Sequence, residues 1–168
     1  YGGTDYTLAS GAITSPYFST HKAPRGFPLD PVKWSETLSS YSDAFQASPA
    51  QDTWYNLGSL SMDLPIGVWR VSYQVCAYIH VASVPPVLHV SLSTSNNAAT
   101  DPNWTTKTEM PSVSGFCVST VHRAGLPISL AAKTTYYLIE MTSVASVTTL
   151  SLQGSASRHT IIAECAYL

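Results

Sequence analysis

Charge is what this sequence has least of. Lys and Arg number 8 and Asp and Glu 10 in 168 residues, 11% of the chain, less than half the share usual for a globular domain. The net charge is −2 and no basic cluster stands out, so nucleic acid is not an expected partner. A surface so poor in charge must be finished with Ser, Thr, Asn, Gln and Tyr. That suits hydrogen bonding to neutral polar partners such as sugars, or burial against sister subunits. No apolar run approaches the ~18 residues of a membrane span, and no charged-then-apolar signal segment is present, so membrane insertion is not expected. The first residue is Tyr1 rather than Met, which reads as a piece of a longer protein or a processed product.

Cysteine is scarce too. Cys76, Cys117 and Cys165 are an odd count without a CxxC pair, which argues against a disulfide framework or a zinc ribbon. All three sit in apolar, strand-like runs, as reduced and buried small hydrophobes do. A single Cys76–Cys117 or Cys117–Cys165 bridge is the alternative. Catalytic signatures are missing as well. GSASRH at 154–159 and SGFCVS at 114–119 lack the GxSxG spacing of a nucleophile elbow, and there is no phosphate loop, GxGxxG or HExxH. No enzymatic activity and no cofactor are expected. Asp43, Asp52, Asp63 and Asp101 lie in or beside loops, where two carboxylates could pair as in a glycosidase, but their spacing selects no pair. His80 and His89 could face one another across VASVPPVL and hold a metal with Glu109, but separate histidines on polar faces are the simpler expectation.

Alternation of apolar and polar residues is what the chain has in abundance. In LPIGVWRVSYQVCAYIHV (64–81), Trp69, Val71, Tyr73, Val75, Ala77, Ile79 and Val81 share one face, the period of a half-buried strand. Pro65, Ile66 and Gly67 form the corner before it. Upstream, the phase slips at Gly58, which predicts a bulge or sharp bend. VPPVLHVSLSTS, GFCVSTVHR, LPISLAA, TTYYLIEMTS, VTTLSLQG and HTIIAECAYL supply further strands. Ala124-Gly125, Lys133-Thr134 and Gly154-Ser155 mark turns between them. Residues 1–48 read as an irregular connector. Within them Trp34, Leu38, Tyr41 and Phe45 recur at helical spacing in a Ser-rich, poor helix former, which leaves 31–47 open between a short helix and a first strand. About eight short strands without helical crossovers predict an antiparallel β-sandwich of jelly-roll type over 49–168. The closing strand is apolar on both faces, and TTYYLIEMTS carries bulk on both. A sandwich covers only one face, so a symmetric oligomer is expected.

The stretch STSNNAATDPNWTTKTE (93–109) is far longer than a hairpin needs, and loops of that length are often functional. Asn96, Asn97, Asp101, Asn103, Trp104 and Lys107 are its candidate ligand-binding residues. Trp104 would stack on a sugar ring while the amides and the carboxylate bond its hydroxyls. The competing role for Trp104 is to anchor the loop on the sandwich. Asn103-Trp104-Thr105 also forms a glycosylation sequon; without a signal segment or disulfides, its use is not expected.

The order TWYNLGSLSMDLPIGVWRVSYQV, then hairpins, then TTYYLIEMTS, SLQGSAS and a closing TIIAECAYL resembles the C-terminal heads of bacteriophage tail fibres and tailspikes, over roughly residues 50–168. Other trimeric jelly rolls, of the complement and tumour-necrosis-factor type, share much of this pattern. The resemblance implies a homotrimer in the virion, at the distal tip of a fibre and made in the host cytoplasm. Such a head binds a bacterial surface glycan, lipopolysaccharide or capsule, without catalysis. Three alternatives stay open: a trimerisation or folding module without its own ligand, a secreted protein-binding trimer, and a polysaccharide hydrolase.

Overall fold

The computed structural model describes residues 7–8, 11–12, 35–81, 85–109 and 115–167. The described chain is all β, with two short 3-10 turns at Leu57–Ser59 and Pro102–Trp104. A minimal ladder joins β1 (Thr7–Leu8) to β2 (Gly11–Ala12). Two antiparallel sheets then form a β-sandwich. The smaller has the order β5 (Ser61–Leu64), β10 (Thr134–Thr142), β7 (Val87–Ser93), β8 (Thr106–Glu109). The larger has the order β3 (Ser35–Ser40), β12 (His159–Tyr167), β6 (Gly67–Val81), β11 (Val147–Gln153), β4 (Asp43–Ala47), with β9 (Gly115–Leu130) along the other side of β6.

β6 organises the large sheet. β9 pairs with it from Gly67 to Val81. On its opposite side, β12 covers the first half and β11 the second. β11 and β12 therefore run end to end as one long strand, interrupted by a turn at 154–158. β4 and β3 flank them in the same way, interrupted at Tyr41 and Ser42. Both interruptions fall at one level of the sheet.

The face of β6 read from its alternation is the core: Trp69 is 1% exposed, and Val71, Val75, Ala77, Ile79 and Val81 are fully buried. Leu88, Val90, Leu92 and Leu138 meet it from the small sheet. Each such side chain contributes roughly 1.5–3 kcal/mol by leaving water. Gly58 takes a left-handed φ of 67° in the turn before β5, so the slip in phase marks a bend that glycine adopts without strain.

One open alternative closes and two expectations change. Between a short helix and a first strand, the described part of 31–47 takes the strand, as β3 and β4, because β12 and β11 offer them open edges. Among the described residues, 35–47 thus join the large sheet of the sandwich. Ala124 and Gly125 do not end a strand; they form a bulge within β9, because β6 supplies hydrogen-bond partners along its whole length. A side chain at 125 would collide with the Arg70 stem, 2.5 Å away. The second face of β10 is covered by its own chain at Ile139, which is 1% exposed without any partner subunit. β12 keeps its outer face open, with Ile162 38% exposed.

Two polar groups are set into the core. The Tyr73 hydroxyl crosses from the large sheet to the small one, reaching the carbonyls of Val90 (3.0 Å) and Trp104 (2.9 Å) and Thr106 Oγ1 (3.0 Å). Burial raises its pKa above the ordinary phenol value. Glu140 lies opposite Val90 on the inner face, is 2% exposed, and among the described residues finds no hydrogen-bond partner for either oxygen. Burial pushes its pKa from 4.5 to about 8, so the interior holds a neutral carboxylic acid at neutral pH.

Candidate functional site

The long segment after β7 is more ordered than its composition suggests. Ser93 is its hub: its hydroxyl donates to the Ala98 carbonyl and accepts from the backbone N–H groups of Ser95 (3.1 Å) and Thr100 (3.2 Å). Asp101 Oδ1 accepts from Asn103 N (2.9 Å), capping the Pro102–Trp104 turn as an Asp before proline does. Arg123 of β9 donates to the Asn103 carbonyl at 2.6 Å. The Thr105 hydroxyl donates to Ser91 at 3.1 Å. The final residues are no loop at all but β8, the edge strand beside β7.

The six candidate residues divide accordingly. Trp104 is 5% exposed within the core cluster, so its ring anchors the segment and offers no open stacking surface. Asn96, Asn97 and Asn103 are exposed at one end of the sandwich, with Asn97 Oδ1 accepting from the Ser95 hydroxyl at 2.8 Å. Asp101 is committed to the turn. Lys107 stands apart on β8, paired with Glu109 at 2.8 Å, a bond that lowers the Glu109 pKa. The structure thus leaves three amides exposed on the segment between β7 and β8 and sets the tryptophan and the lysine apart.

The other candidates are dispersed. His80 lies on β6 and bonds Thr148 Oγ1 at 2.6 Å. His89 lies on β7 in the other sheet, edge-on to Trp54 at 6.5 Å between ring centroids. Burial, helped by Lys107, lowers its pKa. Asp63 pairs with Lys133 at 2.7 Å, Asp43 with Ser155, and Asp101 with its own turn, so these three carboxylates have local partners, while Asp52 is tied through its backbone N–H to the Thr142 carbonyl. Among the described residues no group of three or more metal-ligating side chains forms. Cys76 is buried and Cys165 half-buried, both free; the Cys117 side chain lies outside the described residues.

A second polar and aromatic surface was not legible in the sequence. On the outer face of the large sheet, Phe45, Ser151, Tyr78 and Val118 stand opposite one another across four strands. Phe45 is 71% and Val118 56% exposed. Along the same face Asp43 lies opposite Gln153. The 154–158 turn rises beside them. Asp43 accepts from Ser155 N (2.9 Å) and Oγ (2.8 Å), bonds that lower its pKa. Tyr41, 68% exposed, lies under the Arg158 guanidinium at 5.7 Å, a cation–π contact. Gly154 packs directly on the Tyr41–Ser42 backbone, where an added Cβ would collide with the Tyr41 carbonyl carbon and the Ser42 nitrogen. Below the turn, His159 is 2% exposed and accepts the Cys76 N–H at 3.4 Å on Nδ1. Burial lowers its pKa, opposed by Asp43 and by the Ser42 backbone. The phase signal here was hidden because helical spacing of Leu38, Tyr41 and Phe45 is also what two strands broken between them produce.

No protein-family model and no curated protein matches the chain. Among solved structures it is similar to dimeric latent PorU from Porphyromonas gingivalis, with 10% identity and a TM-score of 0.46, over 79% of this chain and 13% of that one. It is also similar to a chain of infectious bursal disease virus Gx strain, with 14% identity and a TM-score of 0.38, over 80% of this chain and 37% of that one. The VP2 subviral particle of that virus matches at 11% identity and a TM-score of 0.27, over 80% of this chain and 37% of that one. The chain spans well under half the length of each, and likenesses so distant carry no functional argument.

Proposed function

We infer that this domain is a non-catalytic receptor-binding head recognising bacterial surface carbohydrate, carried as a homotrimer at the tip of a phage tail fibre. The observation that supports it is the end of the sandwich formed by 94–105. Ser93, Asp101, Trp104 and Arg123 pin that backbone in place, so Asn96, Asn97 and Asn103 present amides from a fixed frame. A preorganised set of neutral donors and acceptors binds hydroxyls with little ordering cost. The pattern resemblance of 50–168 to fibre heads supplies the setting. The test is retention of the purified domain on intact bacteria and on immobilised lipopolysaccharide and capsule. Retention that falls when Asn96, Asn97 and Asn103 are changed to Ala supports the reading; no retention on any bacterial surface counts against it.

A trimerisation module is the second reading, favoured by the exposed apolar side chains Phe45, Ile66, Val118 and Ile162. Both predict a trimer, so host adsorption after deletion of 94–105 separates the two, with light scattering to confirm the oligomer. A trimer that keeps all host adsorption after deletion of 94–105 supports the module.

A further inference from the structure

We propose that the free edge of β9 over residues 115–121 is a strand-pairing surface for a second copy of this chain. Two copies meet antiparallel about a two-fold axis at Val118 and join their large sheets into one. The small sheet ends in β5 and β8, and the large sheet in β3 and β4 on one side and β9 on the other. Four of these edges are guarded as native edges are, by shortness and charge. β3 has 6 residues and carries Glu36, and β4 has 5 and carries Asp43. β5 has 4 residues with Asp63, and β8 has 4 with Lys107 and Glu109. β9 has 16 residues. Its second half is guarded by His122, Arg123, the bulge at Ala124-Gly125 and Pro127. Its first half, GFCVSTV, holds no charge and no proline.

An edge selects its partner by main-chain chemistry. Residues 115–121 pair with β6 from Val81 to Val75, on one side only. In an antiparallel ladder every second residue turns its N–H and C=O away from that partner. Among the described residues no backbone group meets them, so they form a template for one more strand. Seven residues paired in full exchange about six to eight main-chain hydrogen bonds. Three features favour the same strand of a second copy. The run is uncharged, so pairing with itself opposes no like charges. An axis at Val118 sets Gly115 against the partner's Val121 and leaves His122 and Arg123 beyond the paired run. Val118, 56% exposed, ends the row of Phe45, Ser151 and Tyr78 at this edge. Across the axis it meets the partner's Val118 at cross-strand distance, and the row runs on into the second sheet. The contact is two-fold, so it adds to a three-fold assembly rather than replacing it, and it does not depend on carbohydrate binding.

The experiment measures the mass of wild type, Val118→Lys and Phe45→Lys by light scattering from about 1 μM to about 1 mM. Melting of the dilute proteins and hydrogen exchange of the 115–121 amides accompany it. Wild type is expected to hold an even number of chains at high concentration, two, or six where trimers pair. Val118→Lys sets two like charges against each other at the axis. It is expected to halve the mass and weaken the contact at least ~10-fold, with melting of the dilute protein unchanged. Phe45→Lys, on the same face but at the opposite edge, is expected to leave the mass as it is. Alternate amides of 115–121 should gain protection as wild type is concentrated and not in Val118→Lys. A wild type with an odd number of chains throughout, or with exchange at 115–121 independent of concentration, overturns the proposal. So does an even-numbered oligomer that Val118→Lys leaves intact. If Phe45→Lys dissociates the oligomer as fully as Val118→Lys, the copies stack through the sheet face and edge pairing is overturned.

Discussion

Replacing Glu140 with Gln probes the most unusual group in the core. The side chain is 2% exposed, neither oxygen is hydrogen-bonded among the described residues, and burial pushes its pKa from 4.5 to about 8. An acid with a raised folded pKa stays protonated in the folded chain where the unfolded chain has already ionised. Folding then takes up a proton, so stability is undiminished below about pH 4.5 and falls as pH rises towards about 8. Each pKa unit corresponds to about 1.4 kcal/mol. At pH 7, about 2.5 units above the unfolded value, the loss is about 3 kcal/mol, and above pH 8 it approaches about 5 kcal/mol. Gln keeps the shape and an equally unpartnered polar group but cannot ionise. Urea unfolding of both proteins across this range should show E140Q gaining on wild type by about 3 kcal/mol between about pH 4.5 and 7. For a chain of this size the gain at pH 7 is roughly 6–12 °C in Tm. Two stability curves that stay parallel from about pH 5 to about 8 would refute a neutral carboxylic acid in the core.

Three further outcomes follow from the packing. Tyr73→Phe removes the hydroxyl that joins the sheets and leaves buried acceptors unpaired, which should cost about 1–3 kcal/mol in chemical denaturation; a neutral result would mean that water replaces it. Gly154→Ala forces a methyl into the Tyr41–Ser42 backbone and should cost about 1–3 kcal/mol, seen as a lower Tm; a variant as stable as wild type would contradict that contact. His159 has a lowered pKa, so its contribution is full above about pH 6.5 and is lost as pH falls through the folded value. His159→Asn should flatten the stability profile below about pH 6.5, and an unchanged acid slope would assign that loss to other groups.

The inner face of β6 could be read directly from residue order, since a period of two leaves one assignment for Trp69 to Val81. The strand after it, the bend at Gly58 and the all-β class were legible for the same reason. The break between β3 and β4 was not. Leu38, Tyr41 and Phe45 fit a helix as well as two interrupted strands, and only the open edges of β12 and β11 decide between them. Ala124-Gly125 carries the local chemistry of a turn, yet a partner strand running its full length makes it a bulge. Trp104 shows the same limit at the candidate site. A tryptophan among Asn, Asp and Thr reads equally as a stacking platform or an anchor, and its 5% exposure makes it the anchor.

Local order by itself determined which residues alternate, where the chain must bend, and that the surface is neutral and hydroxyl-rich, because these depend on near neighbours and composition. Tertiary structure alone decided that Phe45, Ser151 and Tyr78 form one row, although they are far apart in the chain. It also decided that Glu140 is enclosed without a partner among the described residues and that Tyr73 ties the sheets together. Those properties arise from strand register between distant segments, which no short stretch of this sequence specifies.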